Sequence, residues 1–139
     1  MKASFQTDYA FRIFIVLQWK PKERIALGEI ANTFGLSLNH LNKVAQKLVQ
    51  MGLLHSFRGQ GGGIELAPEA LEFQLGDLMK ELEGDSEIAP CEGYSNLQPC
   101  IIAPSCSLRG FFSEAKEAFY KSLNQQTIAD LKAKPSGKV

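Results

Sequence analysis

The chain has 139 residues, 45% of them hydrophobic, with fifteen basic and fifteen acidic side chains and so no net charge. That size suits one domain, or one small domain with an appendage, and that composition excludes wholesale disorder. No apolar run approaches the roughly 20 residues that span a bilayer, and no apolar signal-peptide core precedes a small-residue cleavage site, so a cytoplasmic protein with no membrane partner is expected.

In chain order, a first helix is predicted to start at a cap on Ser4 or Thr7 and to run to about Trp19, with Ala10, Ile13, Phe14 and Leu17 turned inward. Lys20-Pro21 ends it. Asp8 falls in its first turn, where a carboxylate favours the positive end of the helix dipole.

Next comes Leu27 to Ser37, followed by a second periodic run, Leu38 to Met51. Ala31 is small enough for two helices to cross closely, and Gly35 four residues later is free to take positive φ in a tight turn, as a helix-turn-helix requires. Ser37 is placed to cap the second of these helices and Gly52 to end it. Leu41, Val44, Ala45 and Leu48 form its inward stripe. The other face shows Asn39, His40, Asn42, Lys43, Gln46, Lys47 and Gln50, with no acid among them. Amides and cations suit base edges and phosphates, which makes this a candidate recognition helix.

Two short strands are predicted next, Leu53 to Arg58 and Gly63 to Leu66, joined by Gly59-Gln60-Gly61-Gly62. A glycine-rich hairpin directly after a recognition helix reads as a wing whose backbone can approach DNA closely, with Arg58 at its base reaching a phosphate or the minor groove. The Gly-Lys-Ser/Thr ending of a nucleotide-phosphate loop is missing. Charge agrees: residues 1–66 carry eight basic and four acidic side chains, a net +4, and the remainder seven basic and eleven acidic, a net −4.

A short helix is expected over Leu75 to Glu83, with Leu75, Leu78, Met79 and Leu82 inward and Gly84 as its stop. The acid-rich stretch 69–92 would be repelled by DNA. Then Cys91, Cys100 and Cys106, the only cysteines, fall in one stretch with three prolines and a glycine that cannot be a continuous helix. An odd number of cysteines without a secretory signal disfavours a disulfide framework and favours a metal site or reactive thiols. A loop that lets soft thiolates converge on one point suits an iron–sulfur cluster. Beyond it, Leu108, Phe111, Phe112, Ala115, Phe119 and Leu123 recur at helical spacing, and so large a stripe on so short a chain points to a homodimer interface. Thr127 can cap a last segment, Ile128 to Leu131, and the tail from Lys132 is expected to fray.

These readings define a mainly α fold with a small β-hairpin wing: a winged helix-turn-helix over 1–84, a cysteine-bearing loop over 85–107, and a dimerisation helix and tail over 108–139. The candidate DNA contacts are Ser37, Asn39, His40, Lys43, Lys47, Arg58, Gly59 and Gln60.

The same motifs resemble the winged-helix iron–sulfur regulators of the IscR/NsrR family, and most of all the nitric-oxide-sensing NsrR type. The resemblance rests on Phe5 to Arg12, Ser37 to Lys43, Arg58 to Ile64, Gly76-Asp77 with Leu82-Glu83, and Cys100 to Cys106. It implies a homodimeric repressor of operator DNA that responds to nitric oxide. It also implies a cluster held by three cysteines and one other ligand, 4Fe-4S in preference to 2Fe-2S. In NsrR-like proteins that ligand is an aspartate on the partner subunit's first helix, and Asp8 matches it. IscR-like proteins use a histidine shortly after the third cysteine, whereas Cys106 is followed here by Ser107-Leu108-Arg109 and no histidine lies beyond His55. Three departures stand out: the eight residues between Cys91 and Cys100 exceed the usual spacing, Gln60-Gly61 occupy the wing where a basic or amide side chain is common, and Leu38 replaces a frequent polar residue.

Other switches on the same fold are iron–sulfur supply, redox state, cysteine oxidation, or zinc held by the cysteines and Asp8. An enzyme with a cysteine nucleophile lacks a nearby base, because both His40 and His55 fall in the DNA-binding half.

Overall fold

The computed structural model describes residues 3–84, 88, 100–133 and 136. Helix α1 spans Phe5–Trp19, and of its two possible caps it uses Ser4, whose side chain accepts from the Thr7 amide. Thr7 itself is fully buried. Helix α2, Leu27–Phe34, closes on Gly35 at φ 64. Helix α3, Leu38–Gln50, starts on Ser37, whose hydroxyl accepts from the His40 amide at 3.4 Å. Strands β1, Leu54–Phe57, and β2, Gly63–Leu66, pair antiparallel with Leu54 opposite Leu66 and Phe57 opposite Gly63. Helix α4 is Leu75–Glu83 and helix α5 is Leu108–Leu123. Among the described residues no helix is long and apolar enough to cross a membrane.

The expected inward stripes meet in one core. Ala10, Ile13, Phe14 and Leu17 of α1 pack with Ile30, Leu41, Val44, Leu48, Leu54, Ile64 and Leu78, all buried. Each large aliphatic or aromatic side chain so covered contributes about 1.5–3 kcal/mol. The hairpin gains a third edge that the sequence does not announce: Ile25 and Ile64 exchange both backbone hydrogen bonds, at 3.0 and 2.9 Å. A short 3-10 turn, Pro68–Glu72, leads into α4.

The contact between α4 and α5 is close because Gly76 has no side chain. A Cβ there would run into the carbonyl oxygen of Tyr120 and the side chain of Asn124. Asn124 locks the crossing by accepting from the Asp77 amide and donating to the Asp77 carboxylate, both at 2.9 Å. The end of the chain then folds back. Thr127 and Asp130 cap the 3-10 turn Ile128–Asp130 reciprocally, and Ile128 is fully buried. Gln18 donates to the carbonyls of Ile128 and Leu131, at 2.9 and 3.1 Å, and the Trp19 indole to that of Ala133. The tail expected to fray from Lys132 is thus held at its start by α1; beyond Ala133 only Ser136 is among the described residues.

Candidate nucleic-acid interface and thiol segment

Ser37, Asn39, His40 and Lys43 lie exposed on the first two turns of α3, and Arg58, Gly59 and Gln60 are exposed at the wing. Leu38 and Asn42 of α3 and Ser56, Gly59 and Gly62 of the hairpin line a shared cleft of about 400 Å³. Lys43 and Arg58 join no ion pair among the described residues, so their charge is available.

The wing is tight for a steric reason. Gly59 and Gly61 take φ of 86 and 75, and a Cβ on Gly62 would sit 2.5 Å from the Phe57 carbonyl oxygen. Its base is stiffened by Arg24, whose guanidinium lies 3.5 Å from the centre of the Phe57 ring and 3.5 Å from the Glu65 carboxylate. In the sequence Arg24 carries no motif and stands only as a cation ahead of the apolar Ile25.

Lys47, on the same face of α3, is half-buried and has partners within the chain. Its ammonium donates to the main-chain carbonyls of Glu81, at 2.9 Å, and Leu82, at 3.4 Å, at the end of α4. Beside it the Glu83 carboxylate accepts from the Ser4 amide at 2.7 Å and from the Thr7 hydroxyl. Burial pushes the Glu83 carboxyl up, but the Thr7 and Ser4 hydrogen bonds and the Lys47 charge outweigh it and hold it below the ordinary range.

Asp8 sits part-exposed on α1, paired with Arg12 at 2.9 Å. Arg12 in turn lies over the ring of Phe34, 5.1 Å from its centre, so the pair reaches the helix-turn-helix. Cys91 falls outside the described residues. Cys100, exposed, and Cys106, half-buried, are free thiols that bracket the turn Ala103–Ser105. Two accessible thiols on one tight turn have the donor chemistry that a soft iron site takes. The described residues include no ready-made group of three metal ligands.

A helix-turn-helix, a glycine wing and a shared core make this chain a winged helix-turn-helix protein. A family model described as "Rrf2: Iron-dependent Transcriptional regulator" matches residues 3–134, and the chain belongs to that family. It is 34% identical over 132 residues to the HTH-type transcriptional regulator NsrR of Shouchella clausii, covering 94% of this chain and 88% of that protein. Against the HTH-type transcriptional repressor NsrR of Streptomyces coelicolor the identity is 37% over 117 residues, covering 84% and 77%. Among solved structures, the oxidised form of Staphylococcus aureus CymR superposes with a TM-score of 0.72 at 26% identity, covering 99% of this chain and all of that one. T. potens IscR gives 0.70 at 25%, covering 94% and 85%.

Proposed function

We propose that the protein is a homodimeric repressor that grips operator DNA with α3 and the wing, and whose grip is set by a nitric-oxide-sensitive iron–sulfur cluster. The observation that carries the DNA surface is the acid-free outer face of α3 beside the glycine wing, with Lys43 and Arg58 in no ion pair among the described residues. Ser37, Asn39, His40, Lys43, Arg58, Gly59 and Gln60 are its contacts, with Lys43 and Arg58 supplying the charge that phosphates attract.

Cys91, Cys100, Cys106 and Asp8 would hold the cluster, of the 4Fe-4S type, and when bound it supplies iron on which nitric oxide reacts. The chain's own part is the partner of Asp8. As a ligand, in the same subunit or across the dimer, Asp8 would bring the iron next to its ion pair with Arg12, which holds only the Oδ2 oxygen. Arg12 lies over Phe34, so a change at this pair would be felt in α2 and through it in α3. Support for the dimer comes from α5, which exposes Leu108, Phe111 and Phe119.

Anaerobic purification with visible absorption tests the cofactor. A broad visible band that disappears in each of Cys91→Ala, Cys100→Ala and Cys106→Ala supports it. A colourless protein that carries one zinc, or that switches with reversible oxidation of Cys100 and Cys106, replaces it with a zinc or thiol switch on the same fold.

A further inference from the structure

Three helices meet at the end of α4. Its last carbonyls have no partner within the helix, and Lys47 of α3 supplies one, with its ammonium on Glu81 and Leu82. A cation there also suits the negative end of the helix dipole. Lys47 lines a groove with Phe5, Tyr9, Val44, His40 and Lys43, and from there its charge reaches the carbonyls. One residue on, the Glu83 carboxylate is taken from the other side by the Ser4 amide and the Thr7 hydroxyl at the start of α1. Thr7 is fully buried, so its hydroxyl depends on that carboxylate.

We propose that Lys47, Thr7 and Glu83 form a latch that sets the orientation of the recognition helix, with Lys47 a positioning residue and not a phosphate contact. The inference rests on the reading of α3 and the wing as the DNA surface. Residues 81–83 are gripped twice, through the main chain by α3 and through the Glu83 side chain by α1. Gly84 then ends α4 at φ 63 and begins the segment that leads to the cysteines. Whatever displaces residues 81–83 therefore acts at once on both helices, and an ammonium seated on α4 is not free to reach outward to DNA.

The latch makes Lys47 behave unlike Lys43 and Arg58. The test uses the full chain and a duplex recovered from a random-sequence pool with the wild-type protein. Lys47→Gln and Thr7→Val should each weaken binding about threefold to tenfold, the worth of one net hydrogen bond. The salt dependence should stay at its wild-type slope, whereas Arg58→Ala lowers it by about one. The double variant Lys47→Gln/Thr7→Val should bind no more weakly than the worse single variant, and Thr7→Ser, which keeps the hydroxyl, should bind as wild type. Without DNA, amide hydrogen exchange across residues 38–50 should quicken in both single variants, a reading independent of where DNA binds. The latch is overturned if Lys47→Gln lowers the salt slope by about one while Thr7→Val leaves affinity unchanged. It is equally overturned if exchange in α3 stays at wild-type rates in both variants. An unchanged slope in Arg58→Ala, by contrast, would count against the DNA surface itself.

Discussion

Helices α3 and α5 are written in the same code and end in different situations. Both carry an apolar stripe at helical spacing. In α3 the stripe is covered by its own chain, with Leu41, Val44, Ala45 and Leu48 all buried. In α5 only Tyr120 is buried, while Leu108 is 46%, Phe111 62% and Phe119 36% exposed. The difference lies in the anchoring. Gly76 and the Asn124–Asp77 pair fasten α5 at its C-terminal end, and its earlier turns, which follow directly from Cys106, stand clear of the core. Amphipathic periodicity states that a face needs cover; whether the cover is the same chain or another is decided by where the helix is fastened.

The largest difference between the two helices is expected at the core. Leu41→Ala removes a fully buried side chain and should cost about 2–5 kcal/mol, read as a lower urea midpoint with an unchanged slope. Phe111→Ala, at the most exposed phenylalanine of α5, should change the stability of dilute protein by no more than about 0.5 kcal/mol. If the two variants cost the same at every protein concentration, α5 is covered within the chain and the contrast fails.

Next comes the face itself. Phe111→Asp would place an unpaired charge where a second copy is expected, and should shift the protein toward monomer while the far-ultraviolet circular dichroism stays native. Sedimentation at micromolar concentration reads the result, and a wild type that already runs as a monomer removes the dimer and any ligand donated across it.

The smallest effect is electrostatic. Glu83 is held below the ordinary value of 4.5 in the folded chain, so the unfolded chain takes up its proton first as the pH falls. Its contribution is complete above that value and is lost below it, as the pH drops through the depressed folded value. Glu83→Gln should flatten the fall in melting temperature below pH 4.5 relative to wild type, and an identical acid profile would show that the Thr7 and Ser4 hydrogen bonds do not depend on the charge.

What the sequence made legible was whatever its own neighbourhood determines. The bounds of α4, the Ser37 cap, the Gly35 turn and the inward stripe of α3 all follow from signals a few residues apart. The wing was legible from its glycines, but its third edge was not, because Ile25 meets Ile64 through a single bridge with no period to read. Partners far apart in the chain were equally hidden. Thr7 and Glu83 are separated by 76 positions, and Gln18 and Leu131 by 113. Lys47 illustrates the limit most clearly: its place on the outer face of α3 follows from helical spacing, but its hydrogen bonds depend on where α4 ends in space. Asp8 was legible as a first-turn carboxylate, and its link to Phe34 through Arg12 was not.

Cluster and DNA binding can be followed together in a single titration. Protein purified without oxygen is bound to its selected duplex, and nitric oxide is added in steps while visible absorption and the fraction of DNA bound are followed in the same sample. A chromophore is expected at the start, with a loss of DNA binding that tracks its change step for step. DNA binding that persists after the chromophore has reacted fully, or binding of equal strength by a preparation that never had one, would contradict it.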